Sequence, residues 1–494
     1  MHSQSCQSGL VRTVTGPQLA ALIGDRSDAG GPAYARVAAA IRLLVLDGRL
    51  PLETRLPGER ELAAALGVSR TTVTAAYDEL RGGGYAVSRR GSGTRTALPP
   101  SRANGSAGGA TGPTWTPWAA DGSDLLDLAH AAPEAPADVR RAYDAALEQL
   151  PRHLPGSGYH LFGLPELRTA VADRLTARGL PTLPEQVLVT SGAQHAFTLV
   201  LQLVTGPGDR VLVEQPTYPN ALDAIGRHGA TAVPVPLADD GWDLAAVAAA
   251  VRQTAPRLAY LMPDFHNPTG LLAADAERRE LGAVLTRSRT LTVVDETLVE
   301  LALDGPVPPP LATYLPDDLT VTVGSASKTL WGGLRIGWAR AGTALIRRLA
   351  AVRASVEMGS PVVEQLAVAE LIRGLDATLP PRRAELRTRR DALVAALAER
   401  LPSWRARVPA GGLVLWCDLG APVSSRLVVA AERHGIRLAA GPRFGVDGAF
   451  ERRLRLPYTH PVDVLGSAVD TLEQAFRTVT ADGPAAADTV DAVA

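Results

Sequence analysis

The stretch GSASKTLWGGLRIGW, residues 324–338, contains Lys328, the only lysine among the 50 lysine and arginine residues of this 494-residue chain. A guanidinium stays protonated in proteins, whereas a lysine ammonium can be tuned to lose its proton and attack a carbonyl carbon. Because the other residues of this class are all arginines, the exception indicates a position that needs the amine itself. A surface lysine retained by chance is the plainer alternative.

The neighbours of Lys328 suit a carbonyl compound that carries a phosphate. Ser325 and Ser327 offer hydroxyl groups at the end of a predicted strand, and Arg335 can form a bidentate fork on a phosphate. Gly332, Gly333 and Gly337 in the same stretch let the backbone approach a ligand closely. Since lysine is the side chain that forms Schiff bases with pyridoxal 5′-phosphate, the stretch predicts a covalent site for that cofactor.

Further motifs follow in a consistent order, and one of them could bind an anion by itself. TSGAQHAF, residues 190–197, ends a predicted strand and opens a helix, so the backbone N–H groups of Ala193 and Gln194 can face a phosphate. The others are GYHLFGLPELR with Tyr159, EQPTYPNA with Tyr218, PDFHNPTG with Asn267, VVDET with Asp295 and RLRLPYTH with Arg455. Together they resemble the fold-type I pyridoxal-phosphate aminotransferases over roughly residues 124–480.

The resemblance implies how the cofactor ring would be held. Lys328 would form the Schiff base, and the Asp295 carboxylate would pair with the protonated ring nitrogen. Asn267 would bond the phenolic oxygen, while the Tyr218 ring would stack on the pyridine. Each of the last three also has a plainer interpretation, since Asn267 begins a good turn, Asp295 could cap a helix and Tyr218 could belong to the core.

The resemblance also implies contacts to the phosphate and to a second ligand. Ser325 and Arg335 would join Ala193 and Gln194 at the phosphate, and Arg455 would grip a carboxylate bidentately, although a solvated charge on a strand is the plainer interpretation of Arg455. Tyr159 resembles the tyrosine that reaches the phosphate of a partner subunit, so the resemblance implies a homodimer.

One departure from the family concerns the phenolic oxygen. The family usually carries a tyrosine two or three residues after the ring-nitrogen aspartate, but this chain has Thr297 and Leu298 there. Losing that donor should favour retention of the proton on the imine. The departure therefore puts efficient transamination in doubt without affecting cofactor binding.

A basic helical unit precedes this region. Residues 34–97 hold ten arginines against six acidic residues, although the whole chain has a net charge of −1. Apolar spacing predicts a helix over residues 34–47 with one buried face, formed by Val37, Ile41, Leu44 and Val45. LPGERELAAALG predicts a second helix with Pro57 in its first turn and Gly67 as its C-terminal cap.

A third helix, capped by Ser69 and burying Val73, Tyr77 and Leu80, follows after the short turn GVS. Two short strands around a basic tip come next, so the pattern is a winged helix-turn-helix that resembles the GntR-type regulators. The resemblance implies a DNA partner, with these residues at phosphates, base edges or the minor groove: Arg60, Ser69, Arg70, Thr71, Thr72, Arg89, Arg90 and Gly91. A small helical domain with a solvated arginine face is the plainer alternative.

The sequence predicts four segments: a DNA-binding domain over 31–97, a flexible linker over 98–123, an α/β fold-type I aminotransferase-like domain over 124–482 and a disordered tail over 483–494. This architecture resembles the MocR-type regulators, which implies a transcription factor that responds to an amino compound or to the cofactor. An active aminotransferase with a DNA-binding appendage, or a repressor whose large domain is only a dimerisation scaffold, remain alternatives. Apolar runs are too short for a membrane span, two cysteines make no disulfide framework and no metal-ligand cluster is visible, so we expect a cytoplasmic protein without a metal.

Overall fold

The N-terminal unit folds as expected. The computed structural model describes residues 13–23, 32–46, 50, 54–89, 93–97 and 125–481, so the predicted linker and tail lie outside the described residues. The unit consists of α1 (Gly16–Ile23), α2 (Ala33–Leu46), α3 (Glu59–Leu66), α4 (Arg70–Gly82), β1 (Ala86–Arg89) and β2 (Gly93–Thr96). β1 and β2 pair antiparallel, which confirms the predicted wing strands.

Local sequence explains how these helices begin and end. Ser69 caps α4 by accepting from the Thr72 backbone N–H, and Gly67 ends α3 in the left-handed conformation with φ of 65°. The sequence places Pro57 in the first turn of α3, but the helix is capped by Gly58 and begins at Glu59. Pro57 instead uses its carbonyl oxygen to accept a 2.8 Å hydrogen bond from the buried Tyr77 hydroxyl.

The larger part of the chain alternates strands and helices. Its strands are β3 (Leu126–Leu128), β4 (Val187–Thr190), β5 (Arg210–Gln215), β6 (Thr231–Pro236), β7 (Leu258–Leu261), β8 (Leu291–Asp295), β9 (Thr320–Ser325), β10 (Gly337–Ala341), β11 (Arg405–Ala406), β12 (Val414–Asp418), β13 (Ile436–Ala440) and β14 (Arg453–Pro457).

Helices lie between these strands. They are α5 (Asp138–Gln149), α6 (Pro165–Ala177), α7 (Ala193–Val204), α8 (Pro219–Arg227), α9 (Leu244–Thr254), α10 (Asp275–Ser288), α11 (Ala326–Thr329), α12 (Thr343–Arg353), α13 (Val362–Arg373), α14 (Leu375–Arg400), α15 (Ser424–Arg433) and α16 (Val462–Ala481). Short 3₁₀ helices occupy Leu150–Arg152, Pro184–Gln186, Leu311–Tyr314, Asp317–Leu319, Gly332–Leu334, Gly441–Phe444 and Val446–Gly448. None of the helices among the described residues is both long and apolar enough to cross a membrane.

A seven-stranded sheet in the order β4-β10-β9-β8-β7-β5-β6 forms the centre of this part. Only β10 runs antiparallel to its neighbours, and hydrophobic clusters cover both faces of the sheet. The carboxyl ends of β4, β5, β7, β8 and β9 therefore meet at one edge, which is where α/β proteins place their ligands. This confirms the predicted, mainly parallel α/β sheet.

A second sheet was not predicted from the sequence. It has five strands in the order β11-β12-β14-β13-β3 and packs with α14, α15 and α16 around a core of leucines. β3 pairs in parallel with β13, so Leu126 lies opposite Ile436 although the two are distant in the sequence. The first strand after the N-terminal unit thus belongs to the C-terminal sheet.

The glycine at the start of β10 gives a direct test of the packing near the sheet edge. A Cβ added at Gly337 would lie 2.6 Å from the Gly192 backbone and 2.7 Å from the Gly324 carbonyl oxygen, and no side-chain rotation can relieve those contacts. We expect Gly337→Ala to lower the stability of this part by about 1–3 kcal/mol, measured as a lower thermal midpoint. Gly332→Ala is the matched control, since no atom lies within 4 Å of its Cβ. Equal midpoints for the two variants would contradict this account.

Candidate cofactor and DNA-binding sites

Lys328 lies on the short helix α11, directly after β9. The Ser325 side chain caps this helix by accepting from the Ser327 backbone N–H at 3.1 Å, which fixes the start of the helix that carries Lys328. The Lys328 Nζ donates to the Ala131 carbonyl oxygen at 2.9 Å. Burial, helped by the positive charge of Arg455, lowers the pKa of Lys328 to about 8, so a neutral nucleophilic amine is accessible near neutral pH.

Asp295 ends β8 with its carboxylate held by neutral donors. The Tyr260 hydroxyl donates to its Oδ2 at 2.6 Å, and the Thr297 backbone N–H donates to its Oδ1 at 2.9 Å. Burial raises the pKa of Asp295, and these hydrogen bonds oppose that shift by favouring the ionised form. Asp295 is therefore a positioned carboxylate at the sheet edge and not a helix cap.

Tyr260 is a residue of the site that the sequence did not reveal. It is fully buried on β7, where its ring packs 4.6 Å from that of Phe197, centroid to centroid. β7 and β8 are parallel neighbours, with Tyr260 opposite Val293 and therefore close to the end of β8. A single polar-tipped aromatic in the apolar run RLAYLMP, beside a strand ending in aspartate, was the available signal.

Arg455 is buried on β14 and is not a solvated strand charge. Its Nη1 donates to the Asn267 Oδ1 at 3.1 Å, its Nη2 donates to the Ala129 carbonyl oxygen, and its guanidinium carbon lies 4.9 Å from the centre of the Phe444 ring. Burial lowers the pKa of Arg455 to about 10, and the group remains a cation at neutral pH. The structure thus brings Arg455 and Asn267 together with Lys328.

The loop that carries Asn267 is fixed by a buried polar group that the sequence did not reveal. Glu214 accepts from the Trp242 indole N–H at 2.7 Å and from the Met262 backbone N–H at 2.9 Å. The His266 Nε2 lies 3.2 Å from the same carboxylate, and its Nδ1 is 2.9 Å from the Thr269 hydroxyl. Asn267 therefore lies in a turn that is closed by the hydrogen bond between the His266 and Thr269 side chains.

A group of anion-binding donors includes Arg335, whose charge acts on Lys328. Gly192 precedes α7 with φ of 106°, which brings the Ala193 and Gln194 backbone N–H groups to the helix N-terminus. The Arg335 guanidinium donates to the Ser191 carbonyl oxygen at 3.1 Å, close to this turn. The buried Ser327 hydroxyl has no hydrogen-bond partner among the described residues. These donors fit a phosphate monoester, and Lys328 and Asp295 fit the aldehyde and the ring nitrogen of pyridoxal 5′-phosphate.

The two predicted tyrosines differ in their placement. Tyr218 precedes α8, accepts from the Asn220 side-chain amide at 2.9 Å and lies close enough to Asp295 to feel its charge. Burial first, and then the Asp295 charge, raises the pKa of Tyr218. Tyr159 is 69% exposed on a loop, and the structure does not bring it into the site of its own chain.

The two positions where the aminotransferases usually carry a tyrosine are occupied differently. Thr297 uses its backbone N–H on Asp295, and Leu298 is buried in the core beside Phe265. No phenol therefore comes from this turn to the phenolic-oxygen side of the site.

The N-terminal unit presents its candidate DNA contacts on α3 and α4. Arg60, Arg70 and Thr71 are exposed, while the Ser69 hydroxyl lies 2.8 Å from those of both Thr71 and Thr72. The Arg70 Nε also bonds the Glu59 carboxylate at 3.0 Å. Arg89 lies on β1, and Arg90 and Gly91 are outside the described residues.

Across the described residues, no group of three or more histidine, cysteine, aspartate or glutamate side chains could hold a metal ion. Cys417 is buried with its pKa raised by burial, which makes it an unreactive core residue.

Comparison with known proteins matches both units. Residues 127–472 match the family "Aminotransferase class I and II", and residues 33–95 match "Bacterial regulatory proteins, gntR family". The uncharacterized HTH-type transcriptional regulator YisV of Bacillus subtilis is 29% identical over 84% of this chain and 90% of its own. The probable rhizopine catabolism regulatory protein MocR of Rhizobium meliloti is 32% identical over 64% of this chain and 66% of its own.

Among solved structures, one similar protein is LysN, the α-aminoadipate aminotransferase of Thermus thermophilus, in complex with N-(5′-phosphopyridoxyl)-L-leucine. Its TM-score is 0.67 at 28% identity, over 72% of this chain and 93% of LysN.

The lowered lysine pKa predicts the pH at which the amine reacts. Since only the neutral amine attacks an aldehyde, the rate of pyridoxal 5′-phosphate attachment should rise through a midpoint near the Lys328 pKa of about 8. Arg455→Met should move this midpoint upward, because it removes a cation that disfavours the ammonium. The measurement is the mass of the borohydride-fixed adduct against time over a pH series, with Arg477→Met on the surface as the control. An unchanged midpoint in Arg455→Met would refute the electrostatic explanation.

Because Arg70 is exposed at the start of α4, we expect its replacement to reduce sequence discrimination. Arg70→Ala should cost about 1–3 kcal/mol of preference for the selected site over random DNA if Arg70 contacts a base. Arg81→Ala, at the other end of the same helix, is matched in charge and should keep that preference. Gel shifts with DNA selected from a random pool measure both, and retained preference in Arg70→Ala would show that other side chains read the bases.

Proposed function

The chain belongs to the class I and II aminotransferase family and carries a GntR-type domain ahead of it, and on that premise we propose that it is a transcriptional regulator which binds pyridoxal 5′-phosphate and responds to an amino compound. The observation that carries the proposal is the presence, in one chain, of a helix that exposes Arg70 and Thr71 in its first turn and of a partly buried lysine among groups that could bind a phosphate and a carboxylate. The domain boundaries 31–97 and 124–482 belong to the same proposal.

Each residue of the site has a role toward the cofactor in this proposal. Lys328 attaches it, Asp295 carries the charge that balances a protonated ring nitrogen, and Asn267 and Tyr218 orient the ring. Ala193, Gln194, Ser325 and Arg335 hold the phosphate through backbone N–H groups, a hydroxyl and a guanidinium. When bound, pyridoxal 5′-phosphate supplies an aldehyde that exchanges between primary amines and a ring that withdraws electrons.

Arg455 suggests the chemical class of the effector. Its guanidinium is buried, is oriented by Asn267 and lies close enough to Lys328 for its charge to lower the lysine pKa. A carboxylate matches such a fork in charge and geometry. We therefore propose an effector with a primary amine and a carboxylate, while pyridoxal 5′-phosphate alone is the second possible signal.

Thr297 and Leu298, which stand where the family usually has a tyrosine, favour regulation over catalysis. Transamination requires proton control near the phenolic oxygen, and neither Thr297 nor Leu298, which packs in the core, supplies a phenol for it. Binding, in contrast, requires only the anchor, the electron sink and the phosphate donors. A regulator needs a ligand whose affinity differs between two conformations of the protein, and it does not need turnover.

A homodimer is part of the proposal. Tyr159 is exposed together with Leu147, Leu154, Val356 and Met358, and large apolar side chains on a surface favour association. In a dimer the Tyr159 hydroxyl would reach the phosphate of the partner's site. Two winged helices related by a two-fold axis would then meet two half-sites of an operator.

The proposal is tested by measuring covalent loading, DNA binding and turnover on one preparation of the full chain. We expect borohydride to fix one cofactor per chain and Lys328→Arg to abolish that adduct, because the only other primary amine is the N-terminal one. Amino acids and their decarboxylated counterparts are then screened for absorbance changes. The responding compound should change affinity for the selected DNA about 5–150-fold while pyridoxamine phosphate forms slowly.

A second candidate is an active aminotransferase that carries a DNA-binding domain. It is favoured by the likeness to LysN and by a Lys328 pKa suited to catalysis near neutral pH. Rapid, complete single-turnover conversion to pyridoxamine phosphate, with DNA affinity unchanged by any ligand, would establish this candidate and reject the regulator.

A further inference from the structure

We infer that residues Asp127–Ala131, termed here the Asp127 segment, act as an internal ligand of the Lys328 site and that their release carries the signal of occupancy toward the DNA-binding unit. This inference rests on the proposed function and adds the part of the chain through which that function would be regulated.

Two carbonyl oxygens of the segment engage the two cations that the ligands need. The Ala131 oxygen accepts from the Lys328 Nζ at 2.9 Å, and the Ala129 oxygen accepts from the Arg455 guanidinium. Arg455 is buried and Lys328 is partly buried, so each carbonyl replaces solvent that the cation has lost. The segment thus accepts hydrogen bonds from Lys328, which would bind the cofactor, and from Arg455, which would bind a carboxylate.

The segment is shaped for this role by Asp127. One carboxylate oxygen accepts from the Ala129 and His130 backbone N–H groups at 2.8 and 3.1 Å, and the other lies 2.7 Å from the His130 Nδ1. The Asp127 carbonyl oxygen is in turn 3.0 Å from the His460 Nε2. Although burial opposes it, the hydrogen bonds from His130 and the backbone lower the pKa of Asp127, so the carboxylate that closes this turn is ionised.

Ligands and segment compete for the same donors. A lysine nitrogen bonded to a cofactor carbon no longer presents the free amine that donates to Ala131. A carboxylate that takes both terminal nitrogens of Arg455 replaces the neutral Ala129 oxygen with a charged acceptor, which forms the stronger hydrogen bond. Filling the site therefore removes the contacts that hold the inner end of the segment.

Because the segment directly follows the polypeptide that joins the two units, its release would change how that polypeptide is attached. The wing strand β2 ends at Thr96 and the next strand, β3, begins at Leu126, so the segment starts inside the first strand that follows the DNA-binding unit. β3 holds only three residues, with Leu126, Asp127 and Leu128 opposite Ile436, Arg437 and Leu438 of β13. A segment freed from Lys328 and Arg455 is anchored by this short pairing and by His460. The polypeptide joining the two units thereby gains or loses an attachment point with site occupancy.

The experiment compares the full chain without cofactor and loaded with pyridoxal 5′-phosphate, which is the probe. In the wild type we expect loading to speed hydrogen exchange of a peptide covering residues 125–133 and to change affinity for the selected DNA at least about 5-fold. Asp127→Ala, which opens the turn without touching Lys328 or Arg455, should still load covalently but show a change in DNA affinity below about 2-fold. Asp127→Asn keeps an oxygen acceptor for the two backbone N–H groups and should give an intermediate value.

Asp243→Ala is the matched control, because Asp243 also accepts from a backbone N–H, that of Ala246 at 2.9 Å, but does so at the start of α9. It should respond as the wild type does. The inference would be overturned by exchange in residues 125–133 that does not increase on loading, or by a full response to loading in Asp127→Ala. A wild type that binds DNA specifically but ignores loading would also overturn it. Loss of specific DNA binding or of covalent loading in the wild type would instead reject the proposed function.

Discussion

The Lys328 site depends on an amine that can lose its proton near neutral pH while other cations lie close to it. Burial and the neighbouring Arg455 both disfavour the ammonium form, and Asp295 provides the opposing charge. A buried ion costs several kcal/mol unless it is paired, so the position of Asp295 is as constrained as that of the lysine. Tyr260 and Thr297 supply that constraint by bonding separate oxygens of one carboxylate. The sheet is needed because only adjacent strand ends can bring these groups together.

The same positive surroundings are the basis of the proposed choice of ligand. Arg335 lies beside the turn of Gly192, and Arg455 lies beside Asn267. A ligand combination with a phosphate at one end and a carboxylate at the other would neutralise both, whereas an amine without an acid group would leave Arg455 bonded to backbone and amide oxygens. The proposed preference for an amino acid over its decarboxylated counterpart would thus follow from charge placement more than from pocket shape.

The sequence was sufficient to predict the residues that end parallel strands or begin helices, because their role depends on local order along the chain. Asp295, Ser325, Ala193 and Gln194 belong to this group. Tyr260, Glu214 and the pairing of β3 with β13 were not predictable, because each depends on contact between residues distant in sequence. Arg455 shows the limit most clearly, since a strand arginine gives no sign in the sequence that it will be 6% exposed.

The energetic scale of the Asp127 segment suits a regulatory contact. A hydrogen bond to a charged group contributes about 1.5–3 kcal/mol net, so two of them at Lys328 and Arg455 exceed the roughly 1–3 kcal/mol typical of coupling between sites. A covalent bond to Lys328 and a charge-paired carboxylate at Arg455 can each displace a neutral carbonyl, so the contacts do not prevent binding. A regulator requires this balance, because a stronger internal ligand would exclude the effector and a weaker one would transmit nothing. An enzyme, for which every such contact lowers substrate affinity without lowering the barrier, has no comparable need for it.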